Sequence, residues 1–218
     1  MNRPARLATA VLTASAALLL TACGSGGGDD TSSDKIKGAD TSGSSSPSPS
    51  ASTSAEKNAP TFDFPSDIKV TVERAPTGDA TKDAILRDVA YSAQARLEGF
   101  AKGKGQTANM NRYFAADALT YWNEQITSTR KEGLTSTGSY RFYDFQVLDI
   151  NGKTAAARYC EDQRKAYAKE IKTNKVLRTQ PSNKDFIQVS LQAAQDSHGD
   201  WQVRQVSWKK EVAECVQG

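Results

Sequence analysis

The stretch Tyr140–Asp162, YRFYDFQVLDINGKTAAARYCED, contains two strand-like runs on either side of a turn signal. Its first part, Tyr140–Ile150, is rich in aromatic and β-branched residues, which favour extended backbone. The dipeptide Asn151-Gly152 is typical of a two-residue hairpin turn, because both residues tolerate a positive φ. Thr154–Asp162 then returns as the second strand. We therefore predict an antiparallel β-hairpin here.

Further strands follow on the C-terminal side of this hairpin. Arg164–Glu170 and Val176–Thr179 flank a turn at residues 172–175, and the apolar residues of 187–193 alternate along one face. Trp201–Lys210 is the next strand. Its apolar residues change parity halfway along, which predicts a bulge or a bend.

Helical patterns precede the strands. Residues 79–102 carry apolar side chains at helical spacing, with Asp79 as the N-cap and a stop at Gly103. A second helical region covers residues 109–132, with a break near Ala116 and Asp117 as the cap of its second half. Ahead of both helical regions, apolar and polar residues alternate over residues 68–72, which are a candidate edge strand. Helices followed by a meander predict an α+β fold, in which helices pack on a curved, cone-like antiparallel sheet.

The N-terminus has the pattern of an export signal. Arg3 and Arg6 precede an apolar run of about 15 residues, shorter than the roughly 20 that span a bilayer. At its end, Leu20-Thr21-Ala22-Cys23 resembles the lipobox of bacterial lipoproteins. That resemblance implies a signal peptide at residues 1–22, a lipid on Cys23 and anchoring to the extracytoplasmic face of the cell membrane. The alternative is an ordinary secreted protein with a chance cysteine at this position.

Residues 23–60 are rich in Ser, Gly, Thr, Ala and Pro, a composition typical of a disordered tether. We interpret this segment as a spacer, with O-glycosylation as the alternative use of its hydroxyl groups. Residues 61–218 then suffice for a single domain. The net charge of +3 gives no basis for a nucleic-acid partner, and export disfavours one.

Two cysteines remain when Cys23 is set aside, namely Cys160 and Cys215. An even pair in an oxidising compartment predicts a disulfide. The alternatives are two buried thiols or a metal-binding pair. The single histidine, His198, lies in a turn-like stretch without metal-ligand spacing, so we expect neither a metal nor a cofactor.

Several motifs together resemble the nuclear transport factor 2-like, or SnoaL-like, cone as found in exported lipoproteins of high-GC Gram-positive bacteria. They are Tyr113–Leu119 (YFAADAL) between helices, Gly138 as the residue that opens the first long strand, Tyr159–Asp162 (YCED), Gly199–Val203 (GDWQV) and the late Cys215. The resemblance covers nearly the whole domain and also favours the disulfide. It implies a fold that hosts isomerases, dehydratases, cyclases and non-catalytic binding modules, so it assigns no single activity.

Catalytic members of this fold use a His, Asp or Tyr inside the cone. His198 is poorly placed for that role. Asp162 and Asp144 lie on predicted strands and are candidate bases whose pKa burial would raise, with ordinary surface carboxylates as the alternative. We take as candidate pocket residues Tyr113, Trp122, Tyr140, Asp162 and Trp208. The alternative for the aromatic ones is plain core. No residue pattern identifies a catalytic site.

Six basic residues crowd the predicted hairpin around residues 172–175, namely Arg164, Lys165, Lys169, Lys172, Lys175 and Arg178. They are a candidate surface for anionic lipids, a cell-wall polymer or an acidic protein partner, or else a solvated hairpin whose charges oppose aggregation. The sequence as a whole favours a membrane-anchored, non-catalytic binding or scaffold domain. The alternative is a small-molecule enzyme, isomerase-like or dehydratase-like, that uses Asp162 or a tyrosine.

Overall fold

The computed structural model describes residues 58–218. The predicted signal peptide, Cys23 and nearly all of the predicted tether lie outside the described residues. Within them, no helix is long and apolar enough to cross a membrane. The elements in chain order are β1 (Ile68–Val72), α1 (Ala80–Lys102), α2 (Ala108–Tyr113), α3 (Ala116–Lys131), β2 (Leu134–Asn151), β3 (Thr154–Glu170), β4 (Val176–Leu177), β5 (Phe186–Gln195), β6 (Trp201–Lys210) and α4 (Ala213–Gln217), with a 3-10 turn at Asn183–Asp185 before β5.

The strands form one curved sheet in the spatial order β1-β2-β3-β5-β6, and the short β4 pairs with β3 beside this order. β1 runs parallel to β2 at the edge, and all other pairs are antiparallel. The predicted α+β fold, the hairpin and the edge strand are therefore confirmed. Asn151 pairs with Thr154, so Gly152 and Lys153 are the turn residues, one position later than predicted.

Irregular positions bend the long strands. β2 begins at Leu134, so Gly138 lies inside the strand and does not open it, contrary to the motif-based expectation. Gly138 has φ 98° and Asp144 has φ 50°, and both lie beside register shifts between β2 and β3. The bulge predicted in β6 is confirmed, because Gln192 and Ala193 pair with Gln205 and Val203, which leaves the residue between them unpaired.

The helices match their sequence signals closely, with one correction. Asp79 caps α1 by accepting hydrogen bonds from two backbone N–H groups, and Gly103 ends it in the left-handed region at φ 62°. The second helical region divides into α2 and α3, as predicted. Asp117 does not cap α3, however; Ala115 holds the N-cap position, and its N–H bonds to Val203 O at 2.9 Å. The break between α2 and α3 is therefore set by backbone pairing with β6, and α3 has no side-chain cap.

The two faces of the sheet carry two separate cores. On the concave face, α1 and the other long helix, α3, cover the main core, to which Ile85, Val89 and Tyr159 belong. The opposite face carries a small core around α4 that contains Tyr143 and Phe186. The Cys160–Cys215 disulfide lies in this second core, with the two Cα atoms 5.4 Å apart. The predicted disulfide is confirmed.

Candidate functional site

The concave interior contains a buried ion pair. Arg96 of α1 donates from Nη2 to Glu161 Oε2 of β3 at 2.5 Å, and the other Glu161 oxygen accepts from Gln163 Nε2 at 2.7 Å. The Arg96 guanidinium lies over the ring of Trp122, 4.8 Å from its centroid. Glu161 is 1 % exposed and Arg96 is 9 % exposed. The centre of the cone is therefore occupied by the protein's own charges.

The electrostatics of this interior favour fixed protonation states. Burial lowers the pKa of Arg96, but the charge and hydrogen bond of Glu161, together with smaller contributions from Tyr159 and Tyr140, outweigh burial and hold that pKa above its usual range. Burial raises the pKa of Tyr140 to about 12, and it also raises that of Tyr159. At neutral pH the interior thus contains a charged guanidinium and two neutral phenols. Arg96 Nε has no hydrogen-bond partner among residues 58–218.

The structure distributes the candidate pocket residues over several places. Trp122 and Tyr140 lie beside the buried ion pair. Asp162 has the opposite strand parity to Glu161 and pairs with Arg164 at 2.7 Å. Burial raises the pKa of Asp162, but hydrogen bonds from Arg164 outweigh burial and hold this pKa below its usual value.

The two remaining candidates lie elsewhere. Trp208, 46 % exposed, donates its indole N–H to Tyr121 Oη at 3.0 Å at the edge of the sheet. Tyr113 belongs to a separate cleft, and so the structure does not bring the five candidate residues together in one site.

That cleft has a volume of about 830 Å³ and lies between α1, α2 and the turn that joins β5 to β6. We call it the polar cleft. Its lining side chains include Asp88 and Tyr91 from α1, Arg112 and Tyr113 from α2, and His198 and Asp200 from the turn. These segments are distant in sequence, so the sheet and the helices must form before the cleft exists.

Bidentate ion pairs organise the polar cleft. Arg112 donates to the two oxygens of Asp200 at 2.7 and 3.1 Å, and also to Asn58 O at 3.1 Å. Arg87 donates to both oxygens of Asp88 at 2.8 and 3.2 Å, and the Trp201 N–H donates to the same carboxylate at 2.9 Å. Burial raises the pKa of Asp88 in spite of these donors.

Aromatic rings form one side of this region. The rings of Tyr91 and Tyr113 have centroids 5.5 Å apart, and Phe62 lies 6.2 Å from Tyr91. The Tyr113 hydroxyl is buried and has no hydrogen-bond partner in the described part of the chain. Burial also raises the pKa of Tyr113, so the phenol stays neutral and keeps its proton to donate.

His198 lies in the β5–β6 turn, as predicted, with 84 % of its side chain exposed. It reaches Asp196 Oδ2 at 3.5 Å at the rim of the polar cleft. Among residues 58–218 no group of three or more His, Cys, Asp or Glu side chains is arranged to hold a metal ion.

The basic hairpin is partly neutralised by its own neighbours. Lys169 pairs with Asp67 at 2.5 Å, and the Arg178 guanidinium lies 5.0 Å from the ring centroid of Tyr167. Arg164 is held by Asp162, as described above. Lys165, Lys172 and Lys175 are exposed. The six residues thus present fewer unpaired charges than the sequence alone suggests.

Sequence reasoning missed Asp88, Arg96 and Glu161. A signal for the first two was present, because Asp88, Ser92 and Arg96 recur every four residues and so share one face of α1. All three are buried. Polar residues on the buried face of an apolar helix require partners, and that requirement marks them as candidates.

Comparisons with known proteins identify structural neighbours only. No family model matches the chain, and no curated protein matches it. A ketosteroid isomerase-like protein from Erwinia carotovora is similar at 14 % identity and a TM-score of 0.40, over 62 % of this chain and 98 % of that one. A putative ketosteroid isomerase from Shewanella frigidimarina has 16 % identity and a TM-score of 0.32, over 58 % and 94 %.

A third neighbour is the intermembrane space region of a chloroplast protein, with 13 % identity and a TM-score of 0.39, over 62 % of this chain and 99 % of that one. These scores are low. The fold described above therefore stands on the strand order and packing of this chain.

Proposed function

We propose that the protein is a lipoprotein anchored to the extracytoplasmic face of the cell membrane through Cys23, and that its domain is a non-catalytic binding module of the nuclear transport factor 2-like class. The lipobox-like sequence supports the anchor. The Cys160–Cys215 disulfide supports it too, because such bonds persist in oxidising compartments outside the cytoplasm.

The buried Arg96–Glu161 ion pair is the main support for a non-catalytic domain. A general base needs an accessible lone pair and a pKa near the working pH. Glu161 directs its oxygens to Arg96 and Gln163, and Asp162 is held by Arg164 with a lowered pKa. Both carboxylates of this strand segment are thus committed to internal contacts, and we place ligand binding in the polar cleft.

The anchor is tested by replacing the cysteine. Cys23→Ala in the full chain, expressed in a bacterium that processes lipoproteins, should abolish incorporation of a labelled fatty acid and release the protein from the membrane fraction. Ser25→Ala, two residues away, is the matched control and should leave both unchanged. Unaltered membrane retention of Cys23→Ala would contradict the anchor.

Binding is tested by thermal stability of the purified full chain against a panel of small molecules and cell-wall fragments. A ligand present at 100 times its Kd adds roughly 2.7 kcal/mol to the free energy of unfolding. We expect at least one such shift, with no chemical change in the ligand. Turnover of the bound ligand would contradict the non-catalytic proposal.

A further inference from the structure

We propose that the polar cleft binds one neutral sugar unit, either free or at the end of a glycan. The inference rests on the proposed binding function and names its ligand class. Three features of the cleft support it: its charges are already paired, aromatic rings form part of its wall, and its volume exceeds that of a single sugar ring.

The paired charges select against an ionic ligand. Arg112 and Asp200 form one bidentate pair, and Arg87 and Asp88 form another. A charged ligand would have to separate such a pair or be desolvated without a counter-charge, and both changes are costly. A hydroxyl group needs neither, because it donates to a remaining lone pair of the Asp200 carboxylate and accepts from a remaining N–H of the Arg112 guanidinium. A neutral ligand with several hydroxyl groups therefore fits this set of side chains.

Amide and phenol groups extend the same pattern. The exposed Asn111 lines the cleft and brings both an amide donor and an acceptor. The Tyr113 hydroxyl is buried without a partner among residues 58–218, although Tyr113 lines the cleft wall. An unsatisfied buried hydroxyl is costly, and a hydroxyl-bearing ligand, directly or through one water, relieves that cost.

The aromatic wall provides the apolar part of recognition. Tyr91 is half-buried, lies between Phe62 and Tyr113, and lines the cleft. A sugar ring has an apolar C–H face and a polar hydroxyl rim, so it needs an aromatic surface beside polar groups. The cleft volume of about 830 Å³ lies in the range of small-molecule sites and leaves room for a second ring or for water.

The test is calorimetric titration of the purified full chain with glucose and N-acetylglucosamine, each as the free sugar and as a soluble tetramer. We expect a Kd on the order of 1 mM for the better free sugar. Tyr91→Leu keeps apolar bulk but removes the ring, and Arg112→Gln removes the charge-assisted donor. Each should weaken binding by about tenfold or more. Arg141→Gln is the matched control, because it breaks a comparable bidentate pair with Glu73 outside the cleft.

The outcomes separate the inference from the function on which it rests. Absence of binding by all four sugars, together with a thermal shift from a non-sugar ligand, overturns the sugar site and leaves the binding function standing. Equal affinity of Tyr91→Leu and the unmodified chain overturns the placement in the cleft. Should Arg112→Gln unfold, Asn111→Ala, which alters an exposed residue, takes its place. Preference for a tetramer over its free sugar identifies a glycan end as the source of the sugar unit.

Discussion

Removal of the disulfide should lower the stability of the domain by a calculable amount. Cys160 and Cys215 are 55 residues apart in sequence. In the chain-entropy model a loop of this length restricts the unfolded chain by about 14 cal/mol/K, or about 4 kcal/mol at 25 °C. A domain of about 160 residues has an unfolding entropy of about 0.34 kcal/mol/K, so we expect Cys160→Ala/Cys215→Ala to lower Tm by about 12 °C.

The loss should begin at α4. This helix has five residues, too few for independent stability, and the disulfide holds it on Tyr143 and Phe186. Two hydrogen bonds also reach this segment: the Tyr143 hydroxyl donates to the Cys215 carbonyl, and Arg141 Nη1 donates to the carbonyl of Gly218, directly after the helix, at 3.3 Å. In the double variant we expect backbone amides of Ala213–Gln217 to exchange hydrogen well below the global unfolding temperature, while those of α1 stay protected.

The assay is a thermal melt followed by circular dichroism, with and without a phosphine reductant, combined with hydrogen exchange. Reductant should lower Tm of the unmodified chain to that of the double variant and should not affect the double variant itself. A loss of less than about 3 °C, which corresponds to about 1 kcal/mol, would refute the entropic reasoning. Protection of α4 in the reduced protein would refute its dependence on the disulfide.

Three further predictions concern individual residues. Glu161→Ala leaves the buried Arg96 guanidinium without its carboxylate and should lower the free energy of unfolding, measured in urea, by about 3–5 kcal/mol. The apolar double variant Arg96→Met/Glu161→Leu should keep a free energy of unfolding near that of the unmodified chain. Equal losses in the two variants would contradict this prediction. Gly138→Ala places a Cβ 2.1 Å from a backbone oxygen at a residue with φ 98°. It should lower the free energy of unfolding by about 2 kcal/mol more than Gly133→Ala, whose Cβ meets nothing within 4 Å. Equal urea midpoints for the two variants would refute the steric reasoning. Burial raises the pKa of Asp88, so the stability that its protonated form contributes is full below about pH 4 and is lost as pH rises through the folded-state pKa. Asp88→Asn should remove this pH dependence from the free energy of unfolding, measured from about pH 4 upward. An unchanged slope of that free energy against pH would exclude Asp88 as its source.

Local signals in the sequence sufficed for much of the fold. The cap at Asp79 and the stop at Gly103 located α1, because both act through backbone groups within one helical turn. The parity change within Trp201–Lys210 located the bulge, because side chains alternate strictly along a strand. These features depend on neighbours in sequence, and so they are readable from it.

Other boundaries depend on partners that the sequence does not show. After Leu134, the first residues of β2 are polar or glycine and show no apolar alternation, yet they pair with the end of β3. The break before α3 is set by a hydrogen bond from Ala115 to a residue of β6. α4 is held by a disulfide to β3. In each case a contact distant in sequence overrides weak local propensity.

The site illustrates the same distinction, and one part of it was available from the sequence. On β3, Ala155, Ala157, Tyr159 and Glu161 share one parity, and the apolar members of that set must face the core. Parity therefore places Glu161 inside the cone and Asp162 on the opposite face, so strand alternation alone separates these adjacent carboxylates. A buried carboxylate then requires a buried cation, and the polar residues on the inner face of α1 supply Arg96. The polar cleft has no comparable signal, because its three segments meet only through the completed sheet. Strand parity is thus informative about what fills the cone, whereas a site assembled at its rim requires the three-dimensional structure.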